Sequence, residues 1–141
     1  MADAVGIVLS GVFAALAGLH LYWAAGGRWG TGVTVPEVEG RALFTPSPAA
    51  TVAVAVALVM AMIVVLGRIG ALDGLAPEWT FHWGTWAIAL VFSLRAIGEF
   101  RLVGFFKRVR DTRFAHWDTF VYSPLCLAIA AMTTFVGGTA E

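Results

Sequence analysis

The chain has 141 residues, of which 60% are hydrophobic and only 13% charged, and its nine Lys and Arg balance nine Asp and Glu. A soluble domain of this size needs about a quarter charged residues, so the composition excludes a soluble globule, a disordered tail and a nucleic-acid-binding protein. The single cysteine, Cys126, excludes an internal disulfide and a multi-thiolate metal site. We therefore expect one transmembrane domain over residues 1–141.

Four stretches of the chain are long and apolar enough to cross a bilayer as helices, which needs about 20 residues each. They cover residues 4–25, 49–67, 79–101 and 117–136. The first stretch follows Asp3 and no basic residue, so it is predicted to be a retained span and not a cleaved signal. The predicted fold is all-α: an integral membrane antiparallel four-helix bundle with a long first cytoplasmic loop.

The basic residues predict how the spans are oriented, because basic loops resist translocation. Seven of the nine lie in the loops after the first and third spans: Arg28, Arg41, Arg101, Lys107, Arg108, Arg110 and Arg113. We therefore expect a multi-pass protein of the inner (plasma) membrane with both termini outside the cytoplasm. The basic run after the third span is expected to lie against anionic lipid headgroups. The first loop, residues 26–48, is either a flexible connector or a folded cap.

Small residues recur at helical spacing on three spans and predict where the helices touch, because close approach replaces the hydrophobic effect between helices in lipid. The strips are Gly11, Ala15 and Gly18; Ala53, Ala57 and Ala61; and Thr85, Ala89 and Ser93. Such faces also predict one assembly, a homo-oligomer formed through small-residue helix faces.

Two residues of opposite charge lie near the cytoplasmic end of the predicted third span. Arg95 and Glu99 are four residues apart, so on a continuous helix they share a face and can form an ion pair. Charged groups inside a membrane usually face the bundle interior or a wet cavity. The pair is interpreted as a structural ion pair near the cytoplasmic interface, a ligand-facing charge or part of a proton relay.

A polar seam runs along the fourth span at helical spacing. Its members are Asp118, Tyr122, Cys126 and Thr133. Pro124 is expected to kink this helix and to free the carbonyl of Phe120, to which Arg95 could donate a hydrogen bond. Such a kink could shape the wall of a pocket, or it could serve only the packing of the helices.

The first span ends in an aromatic run that contains His20, Tyr22 and Trp23. His20 is interpreted either as an interfacial histidine with one hydrogen bond or as a pocket residue. His20 and His116 share a side of the membrane, but two histidines without a third ligand make a poor metal site. No metal and no cofactor are therefore predicted.

Three separated runs, LHLYWAAGGRWG, RAIGEFRLVGFFKR and FAHWDTFVYSPLC, resemble those of a family of small bacterial four-span membrane proteins, domain-of-unknown-function family 3995. The likeness covers nearly the whole chain. It implies an integral membrane protein without an assigned activity. It also implies that the polar residues of these runs form one constellation: His20, Tyr22, Trp23, Arg95, Glu99, Asp118, Tyr122 and Pro124.

All three runs lie in the cytoplasmic half of the predicted bundle, and a one-sided polar cavity favours binding over conduction. The leading hypothesis is a pocket that binds a membrane lipid or an amphipathic small molecule. Its expected ligand-binding residues are His20, Tyr22, Trp23, Arg95, Glu99, Asp118 and Tyr122. One alternative is a membrane enzyme acting on a lipid or isoprenoid, with His20, Glu99 or Asp118 as acid or base. Another is a structural or accessory subunit.

Overall fold

The computed structural model describes residues 1–139 and confirms the predicted all-α fold. Its long helices are α1 (Ala2–Ala24), α2 (Pro48–Arg68), α3 (Glu78–Ile97) and α4 (Arg113–Thr139). By length and composition, α1, α2 and α4 are apolar enough to cross a membrane. Helix α3 has 20 residues, but its charged, Trp and His side chains make it less hydropathic than the other three.

Local sequence signals fix the starts of two helices. The Ser47 hydroxyl caps α2 by accepting a hydrogen bond from the N–H of Ala50 (3.1 Å), and a proline occupies the first helical position. Thr112 caps α4 in the same way, through the N–H of Ala115 (3.0 Å). Because of this cap α4 begins at Arg113, before the start predicted for the fourth span.

Helix α3 ends at Ile97, before the end predicted at residue 101, because Gly98 adopts a φ of +86°. Gly104, with a φ of +87°, lies so close that a Cβ there would overlap the carbonyl of Ile97 and the backbone of Gly98. The two glycines let residues 98–112, here called loop three, fold back onto the helix end. The N–H of Phe105 then donates to the carbonyl of Ala96 (2.9 Å).

Helix α4 is interrupted by one π-helical turn, Asp118–Tyr122. Its regular parts are Arg113–Trp117 and Ser123–Thr139. Pro124 accounts for the irregular turn, because it has no N–H to offer the carbonyl of Phe120. On a regular helix residues five apart point about 140° away from each other, yet Asp118 and Ser123 are both fully buried. The wider turn therefore brings them to the same side.

The segment between α1 and α2, residues 25–47, is folded and is here called loop one. It contains a 3₁₀ turn (Thr31–Val33) and a two-residue antiparallel hairpin formed by β1 (Glu37–Val38) and β2 (Arg41–Ala42). In the hairpin Glu37 is opposite Ala42. Of the two interpretations of this loop, the structure favours a folded segment over a flexible connector.

Consecutive helices contact each other near their ends. Gly6, near the start of α1, lies against Ile69 at the end of α2, and Gly67 near that end lies against Phe81 near the start of α3. The most extensive contacts join α1 with α2 and α3 with α4. The main buried apolar cluster consists of Leu9, Phe13, Ala17, Leu58, Ala61, Val65 and Ile129.

The small-residue strips predict these contacts only in part. On α3, Thr85 and Ala89 are buried as expected. The exposed members are Gly11, Ala15 and Gly18 on α1, and Ala53 and Ala57 on α2. For these positions the predicted contact face is wrong, because larger side chains such as Leu9 and Phe13 fill the interface and make more van der Waals contacts. Self-association through the outward strips stays a prediction.

Candidate functional site

A fully buried carboxylate lies near the start of α4. Asp118 is 0% exposed, and its Oδ1 accepts a hydrogen bond from Arg95 Nη2 at 2.8 Å. Its Oδ2 accepts from Lys107 Nζ at 3.0 Å and from the backbone N–H of Gly104 at 2.8 Å. We call these residues, with Thr119, the Asp118 cluster. The three donors replace the water that the carboxylate loses on burial.

Lys107 is the buried cation of this cluster, with only 2% of the residue exposed. Besides Asp118, its ammonium donates to the carbonyl of Gly104 (3.0 Å) and to the hydroxyl of Thr119 (2.6 Å). All three of its N–H groups are therefore used. The expectation that the whole basic run faces lipid headgroups is wrong for Lys107, because Asp118 draws this side chain inward. Sequence reasoning missed it, although a carboxylate in an apolar helix already required a nearby cation.

The predicted ion pair between Arg95 and Glu99 is also wrong. The positive φ of Gly98 ends α3 between the two residues, so they do not share a helical face. Glu99 is exposed and accepts a hydrogen bond from the N–H of Leu102. Arg95 instead pairs with Asp118 across the α3–α4 interface, and it does not bond the Phe120 carbonyl expected as its acceptor.

The geometry of the Asp118 cluster is that of a cross-link. The Asp118 carboxylate accepts hydrogen bonds from donors of α3 and of loop three, and the Lys107 ammonium has no free N–H. Arg95 Nη1 is buried without a hydrogen-bond partner among the described residues. A carboxylate with this set of donors is poorly placed to accept a proton from a substrate.

Three of the predicted site residues lie at the end of α1. The Nδ1 of His20 is bonded to the carbonyl of Leu16 (2.7 Å), and its ring makes an edge contact with Trp23 (centroids 5.1 Å apart). Trp23 Nε1 donates to the carbonyl of Trp29 (2.8 Å). Tyr22 is exposed and its ring lies over Gly27. The contacts of Trp23 and Tyr22 hold the first part of loop one against the end of α1.

A cleft of about 810 Å³ lies between loop one, the end of α1 and the start of α2. Its polar lining includes His20, Thr31, Thr34, Glu37, Ser47 and Thr51. Its apolar lining includes Trp23, Val35, Phe44, Ala50 and Val54. The volume is within the range of about 300–1,000 Å³ usual for small-molecule sites, and the mixed lining suits an amphipathic molecule.

The structure does not bring the predicted site residues together: two lie in the Asp118 cluster, two line the cleft, and three lie in neither place. Arg95 and Asp118 meet in the Asp118 cluster, whereas His20 and Trp23 line the cleft. Tyr122 connects α4 with loop one by donating from its hydroxyl to the carbonyl of Val33 (3.1 Å), while Tyr22 and Glu99 lie on the surface. Sequence spacing could not separate the two places, because the separation depends on how loop one folds. The binding role of these residues stays a prediction.

Another buried cation lies at the opposite ends of the helices. Arg68 is 8% exposed, donates from Nη2 to the carbonyl of Gly137 (3.1 Å), and approaches the exposed carboxylate of Glu78 (3.7 Å). It therefore connects the end of α2 with α4 and with the start of α3. Sequence reasoning used Arg68 only for orientation and missed this contact.

The part of the chain that the structure describes contains no cluster of three His, Cys, Asp or Glu side chains arranged to hold a metal ion. A family model described as a protein of unknown function (DUF3995) matches residues 13–133. No curated protein and no solved structure matches the chain.

Proposed function

The chain belongs to the DUF3995 family of proteins of unknown function, and from this premise we propose that it is a membrane protein that holds an amphipathic small molecule in the cleft beneath loop one. The observation that carries the proposal is the cleft itself, about 810 Å³ with both polar and apolar side chains in its lining. A site of this size has room for a small ligand. In this proposal the ligand binds in the cleft, and Arg95 and Asp118 are not ligand-binding residues.

The membrane arrangement that we propose is a four-span antiparallel bundle. Three helices are apolar enough to span, and α3 lies against two of them with 20 residues, which at 1.5 Å per residue suffices for the hydrocarbon. Loops one and three carry six of the nine basic residues, and Arg113, the first residue of α4, directly follows loop three. This distribution favours both loops in the cytoplasm, both termini outside, and the inner membrane as location.

Exposed aromatic side chains near the cleft support entry of the ligand from the membrane. Trp29 is 74% exposed and Phe44 57% exposed, and Phe44 lines the cleft. Aromatic residues with such exposure are typical of the membrane–water interface. A ligand lying at that level, with its apolar part in lipid, can reach the cleft without crossing water.

The proposal is tested by filling the cleft. Ala50 lines it, so Ala50→Trp is expected to reduce, by about tenfold, the amount of small amphipathic molecule that purifies with the protein. Ala57→Trp is the matched control, since Ala57 is exposed on the same helix outside the cleft. The measurement is mass spectrometry of organic extracts from both variants and from wild type. Equal recovery from all three proteins would contradict the proposal.

A further inference from the structure

The hydroxyl groups around the cleft point to the kind of ligand it takes. Thr31 donates its hydroxyl hydrogen to the carbonyl of Arg28 (2.9 Å), and Thr34 donates to the carbonyl of Thr31 (3.1 Å). Thr51 donates to the carbonyl of Ser47 (3.0 Å). With their hydrogens used in this way, these three hydroxyls can only accept from a ligand, whereas the hydroxyls of Thr45 and Ser47, which also line the cleft, keep a hydrogen that they can donate.

The two aromatic nitrogens that could donate to a ligand are also used. Because a carbonyl only accepts, the contact between His20 Nδ1 and Leu16 O places a hydrogen on Nδ1 and leaves Nε2 as an acceptor in the neutral ring. The indole N–H of Trp23 is bonded to Trp29. Trp23 therefore offers the ligand an aromatic ring without a free N–H, and aromatic rings attract cations to their faces.

The start of α2 adds few donors. Pro48 has no N–H, the N–H of Ala50 is bonded to the Ser47 hydroxyl, and the N–H of Thr51 is bonded to the Ser47 carbonyl. The N–H groups at the start of α2 are therefore largely hydrogen-bonded within the chain, and few remain to donate to a ligand.

One carboxylate is the charged group in the lining of the cleft. Glu37 in β1 is half-buried, and the lining contains neither Lys nor Arg, although the Arg113 guanidinium lies beside the lining residue Gly32. Within residues 1–139, no Lys or Arg nitrogen lies within 4.0 Å of the Glu37 carboxylate. The cleft thus combines an unpaired carboxylate, several acceptors and an aromatic ring.

We propose that the ligand of this cleft is an amphipathic amine, with a protonated primary ammonium and an apolar chain. The inference rests on the proposed function and narrows it to one ligand class. The ammonium supplies the N–H donors that Glu37, His20 Nε2 and the threonine hydroxyls require. The apolar chain lies along Ala50, Val54 and Phe44.

The test uses three photoreactive probes that share one twelve-carbon chain with a diazirine and differ only in the head: a primary amine, an alcohol and a carboxylate. The protein is held in nanodiscs of neutral phosphatidylcholine, and adducts within residues 31–54 are quantified by mass spectrometry. We expect the amine to label this segment about tenfold more than the alcohol. Glu37→Gln should reduce amine labelling to the alcohol level and leave alcohol labelling unchanged.

Glu39→Gln is the matched control, because Glu39 is exposed, lies two residues away and is not part of the lining. It should leave all labelling unchanged. If the amine and the alcohol label the segment equally and Glu37→Gln has no effect, the cleft binds amphipathic molecules but the amine proposal is wrong. Preferred labelling by the carboxylate, or an equal effect of Glu39→Gln, would also overturn it. If no probe labels the segment above the rest of the chain, the proposed function itself fails.

Discussion

At the scale of single residues, Asp118 joins three segments, because its two oxygens are bonded to Arg95 of α3 and to Lys107 and Gly104 of loop three. Each partner alone would leave the buried carboxylate incompletely bonded. With two cations around one carboxylate, the cluster carries a net positive charge. Removing the carboxylate is therefore expected to be worse than removing either cation.

The first prediction compares two variants of this cluster. Asp118→Asn leaves two cations without their counter-charge and is expected to lower the free energy of unfolding by about 3–5 kcal/mol. Lys107→Met leaves the carboxylate with Arg95 and Gly104, and a loss of about 1.5–3 kcal/mol is expected. The double variant should lose less than the sum, because the two residues contact each other. SDS titration in mixed micelles measures these values.

Arg108→Met is the control for the charge change, since Arg108 is the exposed neighbour of Lys107. We expect it to change the free energy of unfolding by less than about 0.5 kcal/mol. An equal loss in Arg108→Met and Lys107→Met would show that the basic charge of loop three matters and the buried bonds do not.

Single residues also show which members of the Asp118 cluster could be predicted from the sequence. Arg95 and Asp118 are found from the sequence, because ionisable residues in apolar segments are unusual and require partners. Lys107 is not found, because it is one of five basic residues between positions 101 and 113 and only the folded loop distinguishes it from the others. The error at Glu99 comes from continuing a helix through a glycine whose φ the spacing does not reveal.

At the scale of elements, the junction between α3 and loop three depends on backbone contact between Gly98 and Gly104. A Cβ at Gly104 would overlap backbone atoms of Ile97 and Gly98, which cannot move aside as a flexible side chain can. This contact places the N–H of Gly104 on Asp118 (2.8 Å). The junction and the Asp118 cluster therefore form together.

Gly104→Ala tests this junction against Gly74→Ala. Both glycines have positive φ, +87° and +82°, but the space beside Gly74 is open. The left-handed backbone alone is expected to cost about 1–2 kcal/mol, and this is the loss expected in Gly74→Ala. Gly104→Ala should lose clearly more, because the overlap adds to the strain. Equal losses in SDS titration would mean that the close approach contributes nothing.

The elements themselves were largely readable, since hydropathy finds α1, α2 and α4 and the Ser47 and Thr112 caps follow known preferences. The face that each helix turns toward the interior could not be predicted from the sequence. Small residues on α1 suggested one contact face, while the structure buries Leu9 and Phe13 on another. Small residues allow contact both inside a chain and between chains, so their spacing alone does not select the inner face.

At the scale of the whole molecule, loop one is the part whose position decides whether the cleft exists. Tyr122 connects it to α4 through the Val33 carbonyl (3.1 Å), and Tyr22 packs over its first residues. The start of α4 also packs against the Thr31–Val33 turn, where Arg113 lies beside Gly32. A contact from α4 to the middle of the loop reduces the number of conformations that it can adopt.

Tyr122→Phe removes the hydroxyl and keeps the ring, whose centroid lies 6.1 Å from that of Phe114. We expect a loss of about 1 kcal/mol in local stability, which corresponds to about fivefold faster amide hydrogen exchange in residues 31–45. Tyr22→Phe is the matched control, because the Tyr22 hydroxyl makes only a long contact with the N–H of Trp29 (3.4 Å). Exchange in α2 should stay unchanged in both variants. Unchanged exchange of loop one in Tyr122→Phe would mean that the bond to Val33 does not hold the loop, and that its other contacts with α1 and α4 keep the cleft in place.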